Sequence, residues 1–122
     1  MEKLELAWRT YEFHTSDLHL LESDHHKFMI YYKKFLNRNS KLNYLQKSFI
    51  KKRAIKSFSK ILNAYMKQIS AISELIDLHL SGIKIPDSRS CNVQDLMNLL
   101  NVTATLVEEM KMQKKEICDF LN

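Results

Sequence analysis

The sequence predicts an all-α fold, an up-down-up three-helix bundle with long coiled-coil-like helices. Two observations support this: the 122 residues include only one glycine and one proline, and the first third of the chain repeats apolar residues in heptads. Glycine supplies the positive φ of tight turns and proline marks loops, so their scarcity implies few turns and long elements. With 45% hydrophobic residues and a typical domain length, residues 1–122 are expected to form a single helical-bundle domain.

The first predicted helix runs from about Lys3 to Leu36 and carries five consecutive heptads. Position a holds Leu4, Tyr11, Leu18, His25 and Tyr32, and position d holds Ala7, His14, Leu21, Phe28 and Phe35. A stripe of this regularity is typical of a long helix that packs at a shallow angle on its neighbours. The turn-forming segment 37–40 ends the pattern, and Ser40 is expected to cap the next helix.

The second predicted helix runs from about Lys41 to Leu80, and its register is ambiguous near its start. Its clearest stripe consists of Ile55, Phe58, Leu62, Tyr65, Ile69, Ile72 and Ile76. Extending that stripe backwards puts Ser48 and Lys51 in the core, although apolar residues lie on a rotated face. We therefore expect a kink, a stutter or a break near Lys51–Ala54, which would give four elements if Lys41–Ile50 forms its own helix.

The segment from Ser81 to Cys91 is the one predicted loop, because it contains both Gly82 and Pro86. Gly82 suits the C-terminal end of the second helix, and Asn92 suits the N-cap of a third helix. The third helix carries a broad apolar stripe made of Leu96, Leu99, Leu100, Leu106, Val107, Met110, Ile117 and Leu121.

The residue content disfavours catalytic chemistry. A single glycine excludes the glycine-rich loops that cradle phosphates. The one Glu-x-x-His pair, Glu22 with His25, falls short of the two pairs that a di-iron bundle needs, and no Cys/His spacing fits zinc. We therefore expect no catalytic, cofactor or metal residues and predict that the chain is not an enzyme. His14 and His25 fall on the core stripe, and we expect hydrogen-bonded imidazoles there.

One short motif gives an alternative. Arg9-x4-His14 resembles the Arg-x4-6-His motif of HEPN-type helical ribonucleases, in which a dimer brings two such pairs together to cleave RNA. The resemblance covers six residues, and Thr10 stands where that family usually has Asn, Asp or His. It implies a ribonuclease whose RNA cleavage would depend on His14.

Charge is distributed very unevenly along the chain. Residues 25–73 hold twelve basic residues and no acidic one, whereas residues 1–24 hold six acidic and two basic residues. The end of the first helix and the start of the second meet at one end of the bundle, which concentrates this charge at a basic tip. We define the basic tip as Lys33, Lys34, Arg38, Lys47, Lys51, Lys52, Arg53 and Lys56. It predicts attraction to nucleic acid, an acidic protein or an anionic lipid surface, with Tyr31, Tyr44 and Phe49 available for base stacking. The alternative is an ordinary solvated face.

The first helix also carries more apolar residues than one packed face needs. Leu6, Phe13 and Leu20 occupy position c, and Trp8 and Met29 widen this second stripe at position e. Such surplus is typical of protein–protein contact, so we expect Leu6, Trp8, Phe13 and Leu20 to touch a partner protein or a second copy. The alternative is that the other two helices cover these residues.

The resulting interpretation is a non-catalytic interaction protein, a subunit or adaptor of a larger assembly, with a small nucleic-acid-binding protein as the alternative.

We expect an intracellular chain, in cytoplasm or nucleus. Acidic and basic residues follow Met1 directly, and the longest uncharged stretch, Leu96–Val107, is too short to span a bilayer. Cys91 and Cys118 flank the third helix, about 40 Å apart, so no internal disulfide is expected.

Overall fold

The computed structural model describes residues 2–38, 41–81 and 93–122, and within these ranges it contains three helices and no strand. They are α1 (Glu2–Arg38), α2 (Tyr44–Leu80) and α3 (Val93–Phe120). The predicted all-α three-helix bundle is confirmed. The expectations placed on Ser40, Gly82, Pro86, Cys91 and Asn92 lie outside the described residues. No helix in the described part of the chain has an apolar stretch long enough to cross a membrane.

The core consists of three clusters stacked along the bundle, each with side chains from all three helices. The first contains Leu4, Ala7 and Trp8 with Ile72, Leu75, Ile76 and Leu96. The middle one contains Leu18 with Ile61, Ala64, Tyr65 and Val107. The last contains Phe28 and Tyr32 with Ile50, Ala54, Phe58, Ile117 and Leu121. As α1 and α3 ascend through these clusters α2 descends, which is the up-down-up order that the sequence predicts.

Helix α2 lies between the other two. Every described core side chain with 0% exposure belongs to α2, among them Phe58 and Ile72. No Cα atom of α1 lies within 8 Å of one in α3 over the described residues, whereas both helices approach α2 that closely. Buried alanines of α2, such as Ala54 and Ala64, let neighbouring backbones come near. Larger side chains of α1, including Trp8, fill the space toward α3.

The predicted core stripe of α1 is confirmed. Four of the five position-a residues are buried, and the fifth, Tyr11, packs against the first cluster. At position d, Ala7 and Phe28 are buried and the remaining three are half-buried. A repeat of seven residues keeps these side chains on one face of a 37-residue helix, about 55 Å long.

Of the three outcomes expected near Lys51–Ala54, a break does not occur, because α2 is a continuous α-helix from Tyr44 to Leu80. The error came from the register at one position. Ile55 is exposed, and Ala54 is the residue that enters the core, followed by Phe58 and Ile61. With Ala54 in the stripe, the buried positions continue back to Ile50 at helical spacing, so no separate helix is needed.

The start of α2 also differs from the prediction. Its N-cap is Asn43, whose side-chain oxygen accepts a hydrogen bond of 2.8 Å from the backbone N–H of Gln46. The Gln46 side chain returns a bond of 3.0 Å by accepting from the Asn43 N–H, which completes a capping box. This cap places the helix start at Tyr44, three residues after the predicted Lys41.

Side-chain hydrogen bonds between described residues join α1 to α2 beneath the surface. The Gln68 amide donates to Thr15 Oγ1 at 2.7 Å, and the Thr15 hydroxyl donates to the Tyr11 carbonyl at 2.8 Å. Nearer the basic tip, His25 Nδ1 lies 2.7 Å from Ser57 Oγ. Because a shifted register would leave these buried polar groups without partners, the two bonds favour one alignment of α1 on α2.

Candidate interaction surfaces

The apolar stripe of α1, which we define as Leu6, Phe13 and Leu20, lies on the outside of the bundle. These side chains are 66%, 67% and 69% exposed. Their seven-residue spacing places each about 10.5 Å from the next along the helix axis. The core residues of α1 lie on the opposite face, so neither α2 nor α3 covers the stripe. The alternative in which the other helices enclose it does not hold for these three residues.

Trp8 belongs to the core and not to the exposed stripe. It is only 7% exposed, and its ring packs edge-on against Tyr11 with 5.7 Å between ring centroids. Met29, the other residue predicted to widen the stripe, is half-buried against the last core cluster. Trp8 and Met29 therefore lie toward the core, where α3 contributes Leu96 and Ile117 to the same clusters. The exposed apolar surface of α1 is therefore narrower than the sequence suggested.

The surroundings of the stripe are polar and partly acidic. The Arg9 side chain, which is 73% exposed, pairs at 3.5 Å with Glu5, which lies one turn earlier in α1 and is 45% exposed. The next position at the same spacing after Leu20 is Lys27, which is exposed. The stripe therefore occupies the acidic half of α1 and ends where the basic half begins.

The basic tip lies at the end of the bundle formed by the last core cluster, where α1 ends and α2 begins. Six of its eight residues are exposed, and Lys47 and Lys51 are half-buried. The close contacts between acidic and basic side chains in the described ranges include Glu5 with Arg9, His19 with Glu22 and Glu108 with Lys111. None of these contacts involves a basic-tip residue. The Lys51 ammonium donates a hydrogen bond to the Asn122 side chain. In the described part of the chain, the positive charge of the basic tip has no direct carboxylate partner.

The aromatic residues of the basic tip differ in availability. The guanidinium carbon of Arg53 lies 4.4 Å from the centroid of the Tyr31 ring and 5.7 Å from that of Phe49. Tyr31 is half-buried, so Arg53 occupies a ring face that was expected to be free for stacking. Tyr44 is 82% exposed and lines a cavity with Lys47 and Lys51. Tyr44 is therefore the better placed of the three aromatic residues for contact with a ligand.

A groove between α1 and α2 extends the basic tip toward the middle of the bundle. Its volume is about 260 Å³. We call it the basic groove, and its lining residues are Leu21, Asp24, His25, Phe28, Arg53, Lys56, Ser57 and Lys60. On each helix, the lining residues follow the first one after three, four and seven positions, which is the spacing of one helix face.

His25 and Ser57 form the polar contact that joins the walls of the basic groove. His25 is 5% exposed, and burial lowers its pKa below the ordinary value of 6.5, with a smaller lowering from the charge of His26. The imidazole is therefore neutral near pH 7. Its Nε2 has no hydrogen-bond partner in the described ranges. A catalytic triad needs a third group to orient the histidine, so this pair is better interpreted as a structural bond than as an activated nucleophile.

Among the described residues, His14, Arg9 and Cys118 have separate surroundings. His14 is half-buried and packs edge-on against Phe13, whereas Arg9 is exposed and paired with Glu5. No group of three or more His, Cys, Asp or Glu residues could hold a metal ion among the residues described. Cys118 is a half-buried free thiol.

The sequence interpretation missed the basic groove and its residue Lys60. Lys60 follows Lys56 by one turn and Arg53 by two, so their common face could have been found from spacing alone. The opposite wall of the groove could not have been found in this way, because it depends on the register that brings Asp24 beside α2.

Comparison of the chain with protein-family models, with curated proteins and with solved structures finds no match.

Proposed function

We propose that this chain is a non-catalytic interaction protein, a subunit or adaptor that docks on a partner protein through the apolar stripe of α1. One observation supports this most: Leu6, Phe13 and Leu20 are each about two thirds exposed on a single line of α1. Large apolar side chains that recur on one exposed helix face are typical of a surface that pairs with another helix. The partner is a different protein or a second copy of this chain.

The size of the stripe limits how strongly it could bind alone. Burying a large apolar side chain is worth roughly 1.5–3 kcal/mol, so three that are already one-third covered supply about 3–6 kcal/mol. Micromolar affinity corresponds to about 8 kcal/mol. Micromolar binding therefore requires further contacts from flanking polar residues such as Arg9 and Asp17, and the stripe alone suits an adaptor that holds several weak contacts.

The test compares two substitutions of equal chemistry in tagged chains purified from the native cell after nuclease treatment. Phe13→Glu puts a charge in the stripe, and Met112→Glu puts the same charge on α3 at a residue that is 64% exposed. The proposal expects the Phe13 variant to lose its partner or its self-association while the Met112 variant keeps it. Equal association of both variants with every bound protein would contradict it.

A second candidate function is nucleic-acid binding by the basic tip. It is favoured by cations without carboxylate partners in the described residues and by the exposed ring of Tyr44. Contacts to phosphates release counterions, so such binding weakens steeply as salt rises. The measurement is binding of a single-stranded oligonucleotide at several salt concentrations. Affinity that does not change with salt would exclude it. An acidic partner protein would compete for the same residues.

An intracellular location is part of the proposal. The free thiol of Cys118 suits a reducing compartment, where thiols stay unoxidised. Localisation of a tagged chain in intact cells tests this.

A further inference from the structure

The basic groove concentrates positive charge on one wall. Arg53, Lys56 and Lys60 all come from α2, where they rise about 4.5 Å and then about 6 Å along the helix axis. The wall from α1 contributes one carboxylate, Asp24, and the apolar side chains of Leu21 and Phe28. Three cations therefore face a single anion.

These cations are free to meet a ligand. None of the three belongs to an ion pair within the described residues, so Asp24 lies in the groove without a contact of 4 Å or less to any of them. The Ser57 hydroxyl adds a neutral polar group close to the His25 ring. A ligand that carries more than one negative charge would satisfy the positive groups better than Asp24 does.

Arg53 is held in place by its aromatic neighbours. Its guanidinium carbon is 4.4 Å from the centroid of the Tyr31 ring and 5.7 Å from the centroid of the Phe49 ring. A guanidinium stacked on a ring keeps its N–H groups at the edge of the plane, where they can donate two parallel bonds to a phosphate. Part of the entropy of fixing a long side chain is thereby already lost before a ligand arrives.

The dimensions limit the ligand. A volume of about 260 Å³ lies below the roughly 300–1,000 Å³ of pockets that enclose drug-sized molecules. Phosphate groups fit such a groove, whereas a whole nucleotide with its base would extend beyond it.

We propose that the basic groove is a phosphate-binding site in which Arg53, Lys56 and Lys60 hold adjacent phosphate groups of one ligand. The phosphates come either from a small polyphosphorylated molecule or from the backbone of a single-stranded nucleic acid. In the second case the site deepens the nucleic-acid candidate above and rests on it. The groove fixes the position of the backbone, and the rest of the basic tip adds unspecific attraction.

Calorimetric titration with two probes, inorganic tripolyphosphate and an oligothymidine strand, tests this on the full chain. The groove variant is Lys56→Glu with Lys60→Glu, and its matched control is Lys34→Glu with Lys52→Glu. Both carry the same net charge, and the control residues are exposed cations of the basic tip that do not line the groove. We expect the groove variant to bind roughly tenfold weaker or worse, and the control less than about threefold weaker.

A third variant changes affinity in the opposite direction. Asp24→Asn removes the one carboxylate of the groove, so it should tighten binding by about twofold to fivefold. Every substituted residue is exposed, so we expect all variants to fold. Thermal unfolding followed by circular dichroism verifies this.

The outcomes separate the possibilities. Binding of both probes, with the groove variant as the weaker one, supports a site that takes phosphates from small molecules, and binding of the oligonucleotide alone supports the nucleic-acid backbone. Equal losses in the groove variant and its control overturn the site and leave only diffuse charge, with nucleic-acid binding intact. If the unmodified chain binds neither probe, both the phosphate site and the nucleic-acid candidate are overturned.

Discussion

The two ends of the bundle have similar interiors and different surfaces. At one end, Leu4 and Trp8 pack on Ile72 and Leu75, and at the other, Phe28 and Tyr32 pack on Ile50 and Phe58. Outside, the first end carries acids and the apolar stripe, whereas the second carries cations without carboxylate partners in the described residues. The same helices thus present one surface suited to apolar contact and another suited to anions. The core determines the fold, and the positions that packing leaves exposed differ between the two ends.

A core residue and a stripe residue of α1 should differ most in their effect on the free energy of unfolding. Trp8→Ala should lower the free energy of unfolding by about 3–5 kcal/mol, because it empties a filled part of the first cluster. Phe13→Ala should change it by no more than about 0.5 kcal/mol, because Phe13 is 67% exposed. Urea denaturation measures both. Similar losses for the two variants would mean that Phe13 is a packing residue.

The next effect concerns the basic tip. Replacing Lys51, Lys52, Arg53 and Lys56 by Glu should weaken binding of a single-stranded oligonucleotide about 100-fold at low salt and should reduce the salt slope by about 3. The control carries Glu at Lys3, Arg9, Lys67 and Lys111, which changes net charge equally away from the basic tip. Fluorescence anisotropy at several salt concentrations measures both chains, and equal slopes would show that only total charge matters.

A smaller effect is expected at the bond between α1 and α2. Ser57→Ala should destabilise the fold by about 1–2 kcal/mol, because His25 would lose its 2.7 Å contact while remaining buried. The control is Ser59→Ala, an exposed residue two positions further along α2. Denaturation midpoints compare them. A stability of Ser57→Ala equal to that of Ser59→Ala would show that the bond contributes nothing.

The smallest effect is the pH dependence that His25 adds. Because burial lowers its folded pKa below 6.5, the unfolded chain takes up a proton first as pH falls. The contribution of His25 to stability is therefore complete above pH 6.5 and is lost as pH falls through the lower folded pKa. We expect a lower melting temperature at pH 5.5 than at pH 7.5, and a smaller difference in His25→Gln. His19→Gln, whose side chain is 75% exposed, serves as the control.

Much of the fold could be predicted because strong periodicity fixes a helix. The heptads of α1 gave its bounds to within two residues and its core face. The register of α2 was missed at Ala54, since a methyl group gives little hydrophobic signal although a helix packed on both sides needs small residues there. Asn43 was missed as the cap because Ser40 is an equally good capping residue.

The interaction surfaces were predicted less evenly. The apolar residues at position c of α1 were recognised as more than one packed face needs, because position c lies away from the a/d face on any straight helix. Trp8 could not be placed, since whether position e is buried depends on where α3 packs. The basic groove required the antiparallel register of α1 on α2, which no local pattern in one sequence contains.

Site-specific photo-crosslinking in the native cell tests whether the apolar stripe of α1 contacts a partner. A benzophenone amino acid replaces Phe13 in one chain and Met112, which is similarly exposed on α3, in another. We expect a discrete adduct from position 13 and none from position 112. Its mass should be 14.5 kDa plus the mass of a partner protein, or twice 14.5 kDa if the partner is a second copy. No adduct from position 13, or the same adducts from both positions, would contradict it.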